Sequence, residues 1–144
     1  MANKPRRPTD WRKRFEKAAA PKTVTLQTDF AGIRAGALMY IASPRVIADY
    51  IASIPRGRTR SIEQMRNDLS QQNEASATCP VTTAIYLRIV AELALDGLNK
   101  GQPPAAVTPF WRVIEPGGKI ARRLSCGDDL IVIQRALEQS SDGG

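Results

Sequence analysis

Residues able to do covalent chemistry are few in this chain. None of its 144 residues is a histidine, which excludes a Ser-His-Asp triad, a Cys-His pair and any histidine-ligated metal. Two cysteines, Cys79 and Cys126, cannot complete a zinc site of nitrogen and sulfur ligands, so neither metal nor cofactor is expected. Cys126 stands between Ser125 and Gly127, just ahead of an expected helix, where a helix N-terminus lowers a thiol pKa. Arg122 and Arg123 would assist that shift, Asp128 and Asp129 oppose it, and a buried, inert thiol is the commoner case. The other chemistry is recognition. Thr108-Pro109-Phe110-Trp111-Arg112-Val113-Ile114 sets an arginine beside two aromatics. Guanidinium and aromatic faces suit bases and phosphates, while a Phe-Trp pair after a proline loop otherwise fills a core. Arg56, Arg58 and Arg60 alternate along a short segment that ends at Ser61, and Lys119, Arg122 and Arg123 cluster after Pro116-Gly117-Gly118.

The totals bound what these residues can serve. The length suits one domain. The apolar fraction of 42% is enough for one core. The chain has no apolar run of the ~20 residues needed to span a bilayer and no apolar stretch behind Met1 that would make a secretory signal. Two cysteines make no disulfide framework and fit a reducing, cytoplasmic setting. The net charge of +7 is placed unevenly. Residues 1–22 hold eight Lys and Arg against Asp10 and Glu16, and the remaining residues hold thirteen basic and twelve acidic side chains. A basic head on a near-neutral body favours a polyanionic partner.

The elements expected to position these residues read as follows. Residues 1–22 form a basic, partly disordered arm, in which Trp11 and Phe15 are four apart and share a helix face. That arm either pins its aromatics onto the body or lies along nucleic acid. Thr23–Gln27 and Ala37–Ile41 read as the strands of a short N-terminal hairpin. Ser43 caps a helix over 43–54, with Pro44 in its first turn and Val46, Ile47, Tyr50, Ile51 and Ile54 as its inner stripe. Ser61 and Gln64 have the spacing of a capping box for a helix over 61–70, with Ile62, Met65 and Leu69 facing inward. A third helix starts at Thr78 or Cys79 and stops at Gly97, striped by Val81, Ile85, Ile89 and Leu93, with Ala84, Leu87, Ala91 and Leu95 widening the stripe, so it is heavily packed. Pro116-Gly117-Gly118-Lys119 reads as a hairpin turn, a wing. A last helix covers 128–139 with Leu130, Ile131, Ile133 and Leu137 inward, and 140–144 form a polar tail.

From about Pro44 to Glu138 this order of signals resembles the DNA-binding, active-site domain of the methylguanine-DNA alkyltransferase family. Ile54-Pro55-Arg56-Gly57 matches that family's Ile-Pro-x-Gly, Pro109-Phe110-Trp111-Arg112-Val113 matches its Pro-Cys-His-Arg-Val in part, and Gly118-Lys119-Ile120 fits the start of its hairpin. The resemblance implies an α+β, winged helix-turn-helix fold and binding of duplex DNA. It also places the alkyl-accepting cysteine on Phe110, the activating histidine on Trp111, the pocket tyrosine on Ile62 and the base-flipping arginine on or next to Cys79. The glycines and tyrosine of the substrate loop become Ala121, Arg122 and Arg123. Of the motif's polar residues only Arg112 survives, so the usual thiol chemistry is not implied.

The leading expectation is therefore a non-catalytic DNA-binding protein of the alkyltransferase-like type, linked to DNA repair or damage recognition. In it Thr82, Thr83 and Tyr86 line a groove, and Arg56, Arg58, Arg60, Ser61, Arg112, Lys119, Arg122 and Arg123 contact the backbone. One alternative is a protein-interaction module on the same fold, whose arm binds RNA or an acidic protein. A second is an alkyl-accepting enzyme that uses Cys126.

Overall fold

The computed structural model describes residues 8–142, and the first seven residues of the expected arm lie outside it. Local capping chemistry sets several of its helices. Asp10 accepts a hydrogen bond from the Lys13 amide at 3.0 Å and starts α1 (Trp11–Lys17). Ser43 accepts from the Val46 amide at 3.2 Å and, with Pro44 in the first turn, starts α2 (Pro44–Ser53). Ser61 and Gln64 form a reciprocal capping box, with bonds of 2.8 and 3.0 Å, that starts α3 (Ile62–Gln72). Two further helices are longer: α4 spans Pro80–Asn99 and α6 spans Asp129–Asp142, and between them lies α5, a short helix over Lys119–Arg123.

A small sheet completes a mixed α+β architecture. β1 (Lys22–Thr25) runs antiparallel to β2 (Leu38–Ile41), with Thr23 opposite Tyr40. β3 (Ala77–Thr78) adds to the other edge of β2 in parallel, with Tyr40 opposite Thr78. The Cys79 amide continues that pairing by donating to the Tyr40 carbonyl at 2.8 Å, so the entry to α4 is tied to the sheet. The core gathers where α2, α3 and α4 meet the segment around 110–114. It includes Ile47, Ile51, Met65, Leu69, Leu87, Val90, Phe110, Trp111, Ile114 and Ile131.

Several expectations are corrected. No hairpin follows Pro116: residues 116–118 make a turn, with Gly117 at φ 81°, and α5 takes the place of the wing. α4 does not stop at Gly97 but runs on to Asn99. A Cβ on Gly97 would lie 2.5 Å from Gln102 Oε1 and 2.9 Å from Val107 Cγ1, so this glycine serves the close approach of the 102–107 loop rather than helix termination. The expected polar tail is helical as far as Asp142. The inner stripes of two helices are also placed differently. In α4 the expected Leu87, Ile89, Ala91 and Leu95 are buried, with Val90 and Ala94 beside them, but Val81 and Ile85 are 47% and 53% exposed. In α6, Ile131 is buried, while Ile133 and Leu137 are about half exposed.

Candidate nucleic-acid interface

A seven-residue helix has too few internal hydrogen bonds to hold itself in water. α1 is held by its aromatics. Trp11 and Phe15, four apart, are both half-buried where α1 lies along α4. The Arg14 and Arg88 guanidinium groups each sit 5.4 Å from the centre of the Trp11 ring, and that of Arg45 sits 5.0 Å from Phe15. Such contacts contribute about 0.5–1 kcal/mol each at exposed sites. The two sequence readings of the arm are thus compatible over its helical part: the aromatics face the body and the lysines and arginines stay in solvent.

Docking α1 on α4 leaves three clefts along the seam; one, about 540 Å³, holds Asp10, Glu16 and Asp96 beside Arg12, Arg45 and Lys100, and the other two are more cationic. The first of these two, about 480 Å³, is bounded by Lys13, Arg14, Lys17, Tyr86 and Ile89, with Thr9, Asp10 and Ala18. The second, about 380 Å³, lies between α1, α4 and α5 and is bounded by Trp11, Arg14, Ile85, Arg88, Lys119 and Arg123, with Ala84, Ile89 and Ile120. Arg14 and Ile89 line both. These two clefts therefore carry Lys13, Arg14, Lys17, Arg88, Lys119 and Arg123 around Trp11 and Tyr86. The carboxylate they contain, Asp10, is engaged in capping α1. Cations outnumber that carboxylate in these two clefts, which makes the local potential positive.

The residues named from sequence divide sharply. Tyr86, Lys119 and Arg123 line the seam, and Arg122 is exposed on α5 but outside both clefts. Thr82 is half-buried, and its hydroxyl oxygen is enclosed with no hydrogen-bond partner among the described residues. Thr83 cannot face a groove: it is fully buried and donates its hydroxyl to the Cys79 carbonyl at 2.6 Å, one turn back in the helix. Ser61 spends its hydroxyl on the α3 cap. Arg58 and Arg60 are exposed in the α2–α3 loop beside the 111–113 segment and α6, as is Arg56, and none of the three lines either seam cleft.

Arg112 is engaged inside the protein as a brace. Its Nε lies 3.0 Å from both carboxylate oxygens of Glu138, and its Nη1 donates to the Ile54 carbonyl at 2.7 Å. Glu138 also accepts from the Trp111 indole N–H and, at 3.3 Å, from the Gly57 amide. Burial pushes the Glu138 carboxyl upward, but the donors Trp111, Arg112 and Gly57 and the Arg112 charge outweigh it and hold the pKa below the usual carboxylate value. Arg135 adds a second brace by donating to the Trp111 and Ile114 carbonyls at 2.7 and 3.2 Å. The three family-pocket positions follow from this packing. Phe110 is 0% exposed and Trp111 2%, with the rings edge to face at 5.3 Å, and Ile62 packs half-buried against the same core. They leave no opening for a base at Phe110 or Trp111.

Cys126 is half-buried, and its Sγ lies 3.1 Å from the Gly127 carbonyl. Burial raises its pKa, the local backbone lowers it, and the Glu92 and Asp128 charges raise it further, so the net shift is away from thiolate. The expected helix-dipole activation does not prevail. Glu92 fixes this loop by accepting from the Ser125 amide at 2.7 Å and from its hydroxyl at 3.2 Å.

Arg88 had no signal in the sequence, while Lys13, Arg14 and Lys17 were expected only collectively, as cations of the basic arm. The spacing of Trp11 and Phe15 placed α1 on the body as one of the two expected arrangements of the arm. Comparison with family models, with curated proteins and with solved structures finds no match to this chain.

Proposed function

We propose that this chain is a non-catalytic nucleic-acid-binding protein of the alkyltransferase-like type, holding duplex DNA along the seam of α1, α4 and α5. The observation that carries this reading is the pair of clefts beside Trp11 and Tyr86, where six cations meet a single carboxylate, Asp10. The order α3, β3, α4 places two helices in succession, joined by residues 73–79, with α5 at the chain position where the family has its wing. The exposed face of Val81 and Ile85 at the start of α4 is then the part that meets the groove. Closure of the Phe110 and Trp111 positions favours binding of intact duplex over capture of a flipped, alkylated base, and the raised Cys126 pKa favours binding without alkyl transfer.

The test is a fluorescence-anisotropy salt titration of the full chain against a duplex with and without one alkylated guanine. Each phosphate contact adds about 0.9 to the slope of log affinity against log salt. Lys13→Glu with Lys17→Glu is expected to reduce that slope by about 2 and to weaken both duplexes equally. A slope unchanged by these substitutions but reduced by Arg58→Glu with Arg60→Glu would move the interface to the α2–α3 loop. Clearly tighter binding to the alkylated duplex would overturn the closed-pocket part of the reading.

A second reading, a protein-interaction module, is favoured by one observation. Val132, Ile133 and Leu137 leave an exposed apolar strip on α6, each about half exposed. Absence of binding to duplex DNA and to RNA at low salt would make this the better reading.

A further inference from the structure

The cleft between α1, α4 and α5 differs from the rest of the seam in being built like a small-molecule site. Its volume of about 380 Å³ falls within the range of ligand clefts, about 300–1,000 Å³. Its lining combines Trp11, Ile85, Ala84 and Ile120 with four cations, Arg14, Arg88, Lys119 and Arg123, the first two of which sit 5.4 Å from the Trp11 ring centre. No carboxylate lines it, and none of these four cations forms an ion pair among the described residues. The Arg88 Nε is enclosed, with no hydrogen-bond acceptor within reach among the described residues. An enclosed, unsatisfied donor is costly unless something accepts from it. The three features together match a ligand with a planar, apolar part and a compact dianion.

We infer that this cleft binds one nucleoside monophosphate unit, with its base against Trp11 and Ile85 and its phosphate among Arg14, Arg88, Lys119 and Arg123. Aromatic side chains take bases by stacking, and arginine and lysine take phosphate through charge-assisted hydrogen bonds. The unit has two sources with the same chemistry: a free mononucleotide, or the 5′-phosphorylated terminal nucleotide of a strand. With the second source the inference deepens the nucleic-acid reading and rests on it; with the first it stands alone.

Trp11 gives the experiment its signal, because Trp111 is buried and bonded to Glu138 away from the cleft. The full chain is titrated with deoxyadenosine monophosphate, deoxyadenosine and inorganic phosphate, following tryptophan fluorescence and heat of binding. The monophosphate is expected to quench Trp11 and to bind at least tenfold tighter than either fragment. Lys119→Gln and Arg123→Gln, both at exposed positions, are each expected to weaken it at least fivefold, with Arg122→Gln as the unaffected neighbour. A parallel arm compares 5′-phosphorylated and 5′-hydroxyl ends on a short duplex with a one-nucleotide overhang, beside a closed dumbbell duplex that has no ends. A preference of at least fivefold for the phosphorylated end, lost in Arg123→Gln, identifies the strand end as the source. Monophosphate binding without any DNA binding leaves the inference standing and sinks the nucleic-acid reading. Dumbbell binding with no response to monophosphate and no end preference overturns the inference and leaves that reading intact. Equal weakening by Arg122→Gln and Arg123→Gln would reduce the site to diffuse charge and overturn it as well.

Discussion

Glu138 is the residue whose removal should cost this fold most per atom changed. Its carboxylate ties three segments together: the Gly57 turn after α2, the Trp111–Arg112 turn and α6. The Arg112 and Glu138 side chains are 15% and 5% exposed, so water cannot replace a lost partner well. Breaking a buried pair by removing one member costs about 3–5 kcal/mol, because the other charge stays buried and uncompensated. Glu138→Ala also strands the Trp111 indole N–H, which adds about 1–3 kcal/mol. Against a domain stability of about 5–15 kcal/mol the alanine variant should be close to unfolded. Glu138→Gln keeps the shape and one acceptor and should lose about 3 kcal/mol. Urea denaturation followed by circular dichroism measures both. The paired change Arg112→Met with Glu138→Leu is expected to recover much of the loss, as hydrophobic replacement of buried ion pairs does. The pH dependence has a definite sign. The folded-state pKa of Glu138 lies below the unfolded value, so its contribution is complete above an unfolded carboxyl pKa of about 4.3. It is lost as pH falls through the lower folded value. Glu138→Gln should therefore flatten the acid limb of the stability curve. A loss under about 0.5 kcal/mol for Glu138→Ala, of the size seen for ordinary surface substitutions, would refute the account of the brace.

Other outcomes follow from the same structure. Tyr50 donates to Asp68 at 2.5 Å, and burial, that bond and the Asp68 charge raise its pKa while the Arg60 charge lowers it. Its contribution should be whole below about pH 10 and fade as pH rises through the folded value, so Tyr50→Phe should cost about 1–2 kcal/mol near neutrality and remove that alkaline fade. Gly97→Ala gains helix propensity of about 1 kcal/mol but crowds Gln102 and Val107, and should be destabilising by about 1 kcal/mol overall; Gln102→Ala in the same chain should relieve part of that, as thermal denaturation would show. Cys126 should react with a disulfide reagent more slowly than a free thiol at pH 8, with a midpoint above the ordinary thiol value of about 8.5, and a faster reaction would contradict the raised pKa.

The positions of α2 and α3 were readable because a cap is a local device. Ser43 with Pro44, and Ser61 with Gln64, each complete their hydrogen bonds within three residues, so no distant neighbour needs to be known. The α+β class and the β1–β2 pair were readable from the alternation of Thr23–Gln27 and the apolar run of Ala37–Ile41. α4 was different. It is apolar on nearly all sides, so the pattern named Leu87, Ile89, Ala91 and Leu95 but also Val81 and Ile85, and the packing of α2 and of the segment around Phe110 left the last two exposed. β3 is two residues long and exists because β2 offers an edge beside it, a condition no local pattern carries. Gly117 and Gly118 fit a hairpin turn or a helix entry equally, and the contacts of α5 with α4 go with the helix.

What the sequence determined by itself about the site was chemical: no histidine, a basic head, arginines next to aromatics. It could not say which of thirteen Lys and Arg outside that head stand in solvent and which act as braces. Arg112 looked like the best phosphate ligand in the chain and became internal because Glu138, 26 residues away, folds back onto it. Lys13, Arg14 and Arg88 became one surface because Trp11 docks on a helix more than seventy residues later in the chain. Side-chain type sets which interactions are possible. Tertiary structure decides which of them are met inside the protein, and those left unmet along the seam are the ones available to a partner.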